Sequence, residues 1–403
     1  MIGVAILGFG TVGSGVAEVL AKNGGLIDGR AHQPIRLKYI LDVRDFPQSP
    51  FGDKIIHDFS VIEQDPEIQV VVETIGGARI AKEFTERALT AGKSVVTSNK
   101  ELVAEHGYEL QKLARDHDAS YLFEASVGGA IPVIRPLSQC LAANEIQEIC
   151  GILNGTTNYI LTRMIKAGLS FDAALQEAQQ NGYAEADPTA DIEGHDACRK
   201  ICILSSLAFG QHLYPNQVPA QGITGVTLAD VAYAASYDCK IKLLGRALRQ
   251  PDGRICAYVA PHLVGAEQPL ACVEDVFNAI AVRGDASGEV MFYGRGAGKL
   301  PTASAVVADV MDAARRLKQP KYLPWGPGRE DLAVGTDRLE SRFYIRAEAE
   351  QGAALAAFGS LSFLTRADAP AGECAFVTEP MTRAAADAKC KDFTVKTILR
   401  LLD

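Results

Sequence analysis

The part of the sequence richest in chemistry is an acidic stretch that leads into a lysine. Its carboxylates are Glu185, Asp187, Asp191, Glu193 and Asp196. Lys200 follows Asp196 at i,i+4 spacing, which places both on one helix face. The neighbouring residues are small or apolar, so this helix is predicted to be mostly buried. A lysine partly removed from water beside a carboxylate can accept the proton of an alcohol as hydride leaves. An ordinary helical salt bridge fits the same spacing, and the spacing alone leaves both interpretations open.

A glycine-rich turn near the start of the chain supplies the partner for hydride chemistry. Residues 8–13 read GFGTVG and follow the apolar run 2–7. In this pattern Gly8 permits a tight turn, Gly10 lets a pyrophosphate approach the backbone, and Gly13 lets helix and strand pack closely. The pyrophosphate would lie at the positive end of the following helix. The turn therefore predicts a dinucleotide-binding loop.

The choice between NAD and NADP depends on the end of the second strand. Asp42 and Arg44 both stand there. An acid at this position binds the ribose hydroxyls of NAD, whereas an arginine accepts the phosphate of NADP. The sequence does not settle the choice and slightly favours NADP. A solvated loop position for Arg44 is the alternative.

Three further segments follow predicted strand ends or precede a helix. Lys100 comes just past the strand 94–97, at the edge where open α/β sheets bind ligands. Helix capping by Ser98 or Asn99 beside a solvated lysine is the alternative there. The turn 124–132 is rich in glycine and exposes carbonyls that suit a monovalent cation. The loop 294–298 either touches the cofactor or is simply flexible.

The elements that must position these residues form a doubly wound α/β pattern. Strands are predicted at 2–7, 36–43, 69–74, 94–97 and 120–124, and helices between them include 79–91 and 103–117. Alternation of this kind predicts a parallel sheet. The predicted domains are a Rossmann domain at 1–132 completed by a helix at about 302–318, an α+β substrate domain at 133–301, a linker at 319–338, and a small βα module at 339–403.

Composition narrows the class of protein. The chain has 403 residues, a formal net charge of -9 and no strongly basic run, which argues against nucleic acid as a partner. We expect no membrane span, because no apolar run is long enough. Nine cysteines include no CxxC pair, so a zinc site is not expected. We expect a cytoplasmic protein, since no signal peptide pattern opens the chain.

Seven motifs in order resemble the homoserine dehydrogenase family over residues 1–320. They are GFGTVGSG, VETIGG, VTSNK, EASVGGAIP, GILNGTTNYI, GYAEADPTADIEGHDACRK and GRGAGKLPTASAVVAD. The resemblance implies NAD(P)-dependent interconversion of L-homoserine and L-aspartate 4-semialdehyde, a step toward threonine and methionine. It also implies a homodimer or homotetramer, with residues 133–301 as the catalytic and dimerisation domain.

The resemblance also implies roles for particular residues. Lys200 matches the proton donor and acceptor, Asp196 a partner that holds substrate, and Lys100 a lysine near nicotinamide and substrate. Glu185 would grip the substrate amine, with Asp191 supporting that acidic pocket. A sodium ion would be held, chiefly by backbone oxygens, at Glu124, Val127, Gly129 and Ile131. The cofactor contacts comprise Gly8, Phe9, Gly10, Thr11, Val12, Gly13, Arg44, Ile75, Gly76, Lys100, Gly182 and Gly298.

The tail from Arg342 onward resembles a short ACT domain, a βαββαβ module. Its first loop lacks the Asp-x-x-Gly pattern of ligand-binding ACT domains, so the sequence leaves threonine binding open.

Two other functions fit a dinucleotide-binding chain less well. An aspartate-semialdehyde dehydrogenase needs a nucleophilic cysteine near a histidine, and no convincing pair is present. A non-catalytic nucleotide sensor has no need for a proton-transfer lysine such as Lys200.

Overall fold

The computed structural model describes residues 1–319, 322–323 and 325–402, and divides them into two compact units. The first comprises residues 1–145, 202–215 and 294–329, and the second residues 146–201, 216–293 and 330–403. Pro320, Lys321 and Pro324 of the predicted linker, and Asp403 of the predicted tail module, lie outside the described residues.

A six-stranded parallel sheet forms the centre of the first unit, in the order β3-β2-β1-β4-β5-β6. The strands are β1 (Ile2–Leu7), β2 (Ile35–Leu41), β3 (Ile55–Ile56), β4 (Ile68–Glu73), β5 (Ser94–Thr97) and β6 (Tyr121–Leu122). Every residue of β1 is buried, as its continuous apolar run requires in a sheet covered on both faces. This is the strand order of a Rossmann fold, and the predicted doubly wound α/β sheet is confirmed.

Five helices follow in this part of the chain: α1 (Thr11–Lys22), α2 (Gly24–Ala31), α3 (Ser60–Gln64), α4 (Arg79–Thr90) and α5 (Lys100–Asp116). Val16 and Leu20 of α1 pack into the same core as the apolar residues of β1 and β4. The sequence pattern missed α2, which contains three glycines, and began α5 three residues too late.

The second unit contains a mixed sheet and a group of helices. Its elements up to residue 295 are β7 (Ile146–Ile152), α6 (Gly155–Ala167), α7 (Phe171–Gln180), α8 (Thr189–Ile192), α9 (His195–Phe209), α10 (Leu228–Ser236), β8 (Cys239–Arg249), β9 (Ile255–Gly265), β10 (Phe277–Gly284) and β11 (Gly288–Arg295). Residues 202–209 of α9 and residues 294–295 of β11 belong to the first unit. Strands β10, β7, β8 and β9 pair antiparallel, which fits the predicted α+β character.

Helix α11 (Lys299–Arg315) returns to the core of the first unit. Ala303, Val306 and Val310 of α11 are buried in that core with α1. The two helices approach so closely that a Cβ on Gly15 would lie 2.9 Å from the Lys299 carbonyl oxygen and 3.1 Å from the Ala303 Cβ. Small residues at the crossing therefore allow the contact.

The last sixty residues form a β-α-β-β-α-β unit: β12 (Phe343–Glu348), α12 (Gln351–Phe358), β13 (Leu361–Leu364), β14 (Glu373–Thr378), α13 (Arg383–Lys389) and β15 (Thr394–Leu402). Its strands lie in the order β15-β12-β14-β13, and β15 pairs parallel with β9, so one nine-stranded sheet results. A buried carboxylate also links β12 to α10. Asp230 on α10 accepts hydrogen bonds from the Tyr344 hydroxyl and from Arg346 Nε, both at 2.9 Å.

No helix among the described residues is long and apolar enough to cross a membrane. Nor does the described part of the chain bring three or more His, Cys, Asp or Glu side chains together as a metal site.

Candidate active site

The glycine turn after β1 has the geometry that a dinucleotide loop needs. Gly8 has a φ of +88°, a conformation that favours glycine. A Cβ on Gly13 would lie 2.0 Å from the Gly8 carbonyl oxygen, so α1 can begin this close to β1 only without a side chain there. No atom lies within 4 Å of a Cβ built on Gly10, which leaves open space beside the helix N-terminus. Thr11 and Val12 form the first residues of α1.

The end of β2 is joined to this turn through Asp42. Its carboxylate accepts hydrogen bonds from the Phe9 amide at 2.8 Å, the Arg44 amide at 3.0 Å and the Arg44 guanidinium at 3.0 and 3.2 Å. Burial would raise the pKa of Asp42, but the Arg44 and amide hydrogen bonds lower it to about 2. The Asp42 side chain is 6% exposed and that of Arg44 is 62% exposed. The Arg44 side chain is therefore largely exposed to solvent, whereas the Asp42 carboxylate is buried and already hydrogen-bonded within the protein.

Two adjacent strand ends, after β4 and β5, are held together by buried polar groups. Glu73 accepts hydrogen bonds from the Ile75 amide and the Thr97 hydroxyl, and burial raises the pKa of Glu73 to about 7. Asn99 donates to the Ile75 and Gly77 carbonyls and caps α5 by accepting from the Leu102 amide. Lys100 is the first residue of α5 and is half-buried. Gly76 is exposed in the first of these loops.

The predicted cation turn lies beyond β6. The Glu124 carboxylate is buried and accepts from the amides of Val133, Ile134 and Arg135 at 2.7–2.9 Å. Its side chain therefore serves the following turn, and the groups left for an ion are backbone carbonyls. Val127 and Ile131 are buried on either side of Gly129, whose φ of +53° and close approach to the Gly296 carbonyl exclude a side chain. The exposed Gly298, with φ of +129°, precedes α11.

In the second unit, α9 presents its lysine to a buried polar network. Lys200 Nζ donates to the Leu153 carbonyl at 2.8 Å and to Asp196 Oδ2 at 2.7 Å, and its side chain is only 9% exposed. Asn154 Nδ2 donates to the same Asp196 oxygen at 2.8 Å and to Asp191 Oδ1 at 2.7 Å. The network thus joins Asp191, Asp196 and Lys200, which were predicted from the sequence, to Asn154 and the Leu153 carbonyl, which were not.

Glu185 and Gly182 stand apart from this network. Both lie in the exposed loop between α7 and α8. The Glu185 side chain makes no hydrogen bond or ion pair with the described residues, and its carbonyl accepts from Gln179 Nε2. Gly182 has a φ of +73° and open space around a Cβ position. The acidic stretch is therefore divided: Asp191 and Asp196 are tied to Lys200, and Glu185 faces solvent.

Sequence reasoning missed Asn154 and Glu73. Asn154 had a local signal, since an asparagine between a strand and the helix start Gly-Thr-Thr fits an N-cap, and its Oδ1 does accept from the Thr157 amide. Nothing local indicated that its Nδ2 reaches carboxylates on two other helices, Asp191 on α8 and Asp196 on α9. Glu73 also had a signal, because it is the last residue of an apolar strand. A carboxyl group buried at such a position needs a specific hydrogen-bond partner.

Comparison with known proteins fits this geometry. A family model described as "Homoserine dehydrogenase, NAD binding domain" matches residues 8–124, and one described as "Homoserine dehydrogenase" matches residues 132–311. Homoserine dehydrogenase from Synechocystis sp. is 44% identical over a match that covers 77% of this chain and 72% of the relative's length. The homoserine dehydrogenase from Neisseria gonorrhoeae is 40% identical over a match that covers 87% of this chain and 82% of the relative's length.

Solved structures agree. A homoserine dehydrogenase from Thiobacillus denitrificans matches all of this chain and 98% of its own with a TM-score of 0.91 at 36% identity. The S. aureus homoserine dehydrogenase at pH 7.5 matches with a TM-score of 0.82 at 33% identity.

The fold and these comparisons define an NAD(P)-dependent oxidoreductase that acts on a hydroxyl group. Within that class, the chain belongs to the homoserine dehydrogenase family, which interconverts L-homoserine and L-aspartate 4-semialdehyde in amino-acid biosynthesis.

Substituting Gly13 tests the loop geometry. The added methyl group of Gly13→Ala would meet backbone at 2.0 Å, so α1 must shift away from the pyrophosphate position. We expect NADPH to bind about 10- to 100-fold more weakly, in line with overpacking costs, as measured by fluorescence titration. Gly24→Ala, with no atom within 4 Å of the new methyl group, is the matched control and should bind NADPH normally. Equal affinity in Gly13→Ala and wild type would contradict the assigned loop.

Proposed function

We propose that Lys200 is the proton donor and acceptor of the homoserine reaction. A bound NAD(P)+ would supply the acceptor for the hydride of the alcohol carbon, and Lys200 Nζ would accept the hydroxyl proton. In the reverse direction Lys200 returns it to the aldehyde oxygen. The observation that carries this proposal is the burial of the Lys200 side chain, whose Nζ is held by Asp196 and by the Leu153 carbonyl.

Asp196 and Asp191 complete the chemistry on the substrate side. Asp196 lies 2.7 Å from Lys200 and stabilises the ammonium that forms when the proton is accepted. Asn154 fixes both carboxylates, which leaves negative charge where a zwitterionic substrate presents its ammonium group. Glu185, exposed and without a side-chain partner among the described residues, is the acid available to grip that ammonium. Lys100 acts near the nicotinamide and the substrate.

The dinucleotide is proposed to bind on the turn Gly8–Gly13 with further contacts from Phe9, Thr11, Val12, Ile75, Gly76, Lys100, Gly182 and Gly298. NADP is the favoured cofactor because Asp42 is already saturated by Phe9 and Arg44, whereas the Arg44 guanidinium is exposed. An arginine at this position can meet the 2′-phosphate. A hyperthermophilic archaeal homoserine dehydrogenase, 29% identical to this chain, is known in complex with NADPH.

A sodium ion is proposed at the turn 124–131. Hard monovalent cations prefer oxygen ligands, and the backbone carbonyls of Glu124, Val127, Gly129 and Ile131 would supply them. The left-handed residues Gly128 and Gly129 give this turn the tight course that such a carbonyl set needs. The Glu124 carboxylate, bonded to three amides, would help to hold the turn rather than bind the ion.

We propose that residues 339–403 are an ACT-like module, which follows the linker 319–338. We also propose that residues 1–132 together with α11 form the cofactor domain. Residues 133–301 would form the substrate domain. The β-α-β-β-α-β succession and strand order of the tail support the ACT-like assignment. Its first loop, residues 349–350, is short and without the Asp-x-x-Gly pattern. The homodimer or homotetramer and the cytoplasmic location stay predictions.

Lys200→Ala tests the proton-transfer assignment. We expect kcat for homoserine oxidation to fall by about 10²- to 10⁴-fold, the usual contribution of a general base, while NADPH affinity stays at the wild-type value. Absorbance at 340 nm measures the rate. Lys240→Ala removes a lysine that is 32% exposed and paired with Glu274, and it should keep wild-type kcat. Undiminished turnover in Lys200→Ala would rule the assignment out.

Arg44→Ala tests the cofactor preference. Loss of the charge-assisted contact to the 2′-phosphate should raise KM for NADP by about tenfold or more, with little change for NAD. Arg36→Ala, which removes an exposed arginine of β2 paired with Asp28, is the control and should leave both constants unchanged. A parallel rise for NAD and NADP would show that Arg44 does not read the phosphate.

A further inference from the structure

Helix α5, which carries Lys100 at its start, is interrupted at His106. That residue has φ of −131° and ψ of 15°, outside the helical range, so the helix consists of two segments joined at a kink. The first segment contains Lys100 and is capped by Asn99. Kinks have specific causes, among them a side chain inserted into the ladder of helical hydrogen bonds.

The side chain at this kink is His212, which belongs to the same compact unit and has no exposed surface. Its Nε2 lies 3.0 Å from the Ala104 carbonyl oxygen, and its Nδ1 lies 3.3 Å from the Tyr108 amide. Ala104 and Tyr108 are four residues apart, the pair that an uninterrupted α-helix joins directly. One imidazole thus bonds to both ends of the interrupted turn.

The partners of His212 fix its protonation. Nδ1 faces two donors, the Tyr108 amide and Trp325 Nε1 at 3.0 Å, and must accept. Nε2 faces a carbonyl and must carry the hydrogen, so the imidazole is neutral. Burial lowers the pKa of His212, although its bond to the Ala104 carbonyl and the charge of Glu109 oppose that shift; His106 adds to it.

The position of the imidazole is set from both sides. The His212 amide donates to the Gly326 carbonyl at 3.0 Å, and the Gly326 amide donates to the Gly210 carbonyl at 2.8 Å. Trp325, which precedes Gly326, packs on the kink so closely that a Cβ on Gly107 would lie 2.8 Å from its ring. His212 and Trp325 are therefore presented to α5 together on two bonded segments.

We propose that His212 is a positioning residue for Lys100. By bonding to both ends of the interrupted turn, its neutral imidazole sets the direction of the first segment of α5 and hence the place of Lys100 at the sheet edge. The inference rests on the proposed role of Lys100 at the nicotinamide and substrate. A misdirected first segment costs rate because reacting groups must be placed to within a fraction of an ångström.

A double-mutant cycle tests the proposal. His212→Leu should lower kcat by about 10- to 100-fold, and His212→Gln, whose carboxamide offers both a donor and an acceptor, should restore kcat to within a few fold of wild type. In a Lys100→Met background, His212→Leu should change kcat by less than about twofold, since the residue through which it acts is gone. Trp325→Phe, which removes only one donor, should cause a smaller loss that also disappears in Lys100→Met.

The control is His262→Leu, which removes a buried histidine of the second unit that lies near Tyr258 and the Ala260 carbonyl. Its effect on kcat should be the same in both backgrounds. Equal losses from His212→Leu with and without Lys100 would overturn the proposal, because the histidine would then be merely structural. If His212→Leu fails to fold, the same cycle with Trp325→Phe decides. A Lys100→Met enzyme with wild-type kcat would instead refute the role of Lys100, and the proposal with it.

Discussion

The hydrogen-bonded ion pair between Lys200 and Asp196 is the interaction on which the proposed substrate site depends. A buried ammonium is stable only if charge and hydrogen bonds replace its lost water, and removing one partner from such a pair is strongly destabilising. Here the Leu153 carbonyl and Asp196 supply those contacts, and Asn154 bonds to the same carboxylate oxygen. The strand β7, the cap of α6 and the start of α9 must therefore keep fixed positions relative to one another.

A similar constraint governs the cofactor side, where backbone groups at strand ends must remain close together. Asp42 bonds to the Phe9 amide and so joins the ends of β1 and β2. Glu73 and Asn99 do the same for the ends of β4 and β5. In each case a buried polar side chain satisfies amides or carbonyls that the turn leaves unpaired, which holds the loops in one arrangement. The kink in α5 follows the same rule, with His212 as the group that satisfies the helix.

Much of this was predictable from sequence because the signals are local. The strands β1 and β5 were predicted with their observed bounds, the GFGTVG turn indicated its own geometry, and i,i+4 spacing predicted the contact between Asp196 and Lys200. What could not be predicted depends on residues distant in sequence. Asn154 reaches Asp191 and Asp196, and His212 reaches α5 from over a hundred residues away.

The most direct test of the central claim, proton transfer by Lys200, is chemical rescue. Lys200→Ala leaves room where the lysine side chain lay. Ammonia and small primary amines of graded basicity can therefore be added to the assay. If Lys200 acts as a general base, the rate of homoserine oxidation should rise with the concentration of unprotonated amine. Among amines of similar size, the rise per unprotonated amine should be steeper for the more basic ones. A residual rate that no amine changes, in an enzyme that still binds NADP and homoserine, would contradict the account.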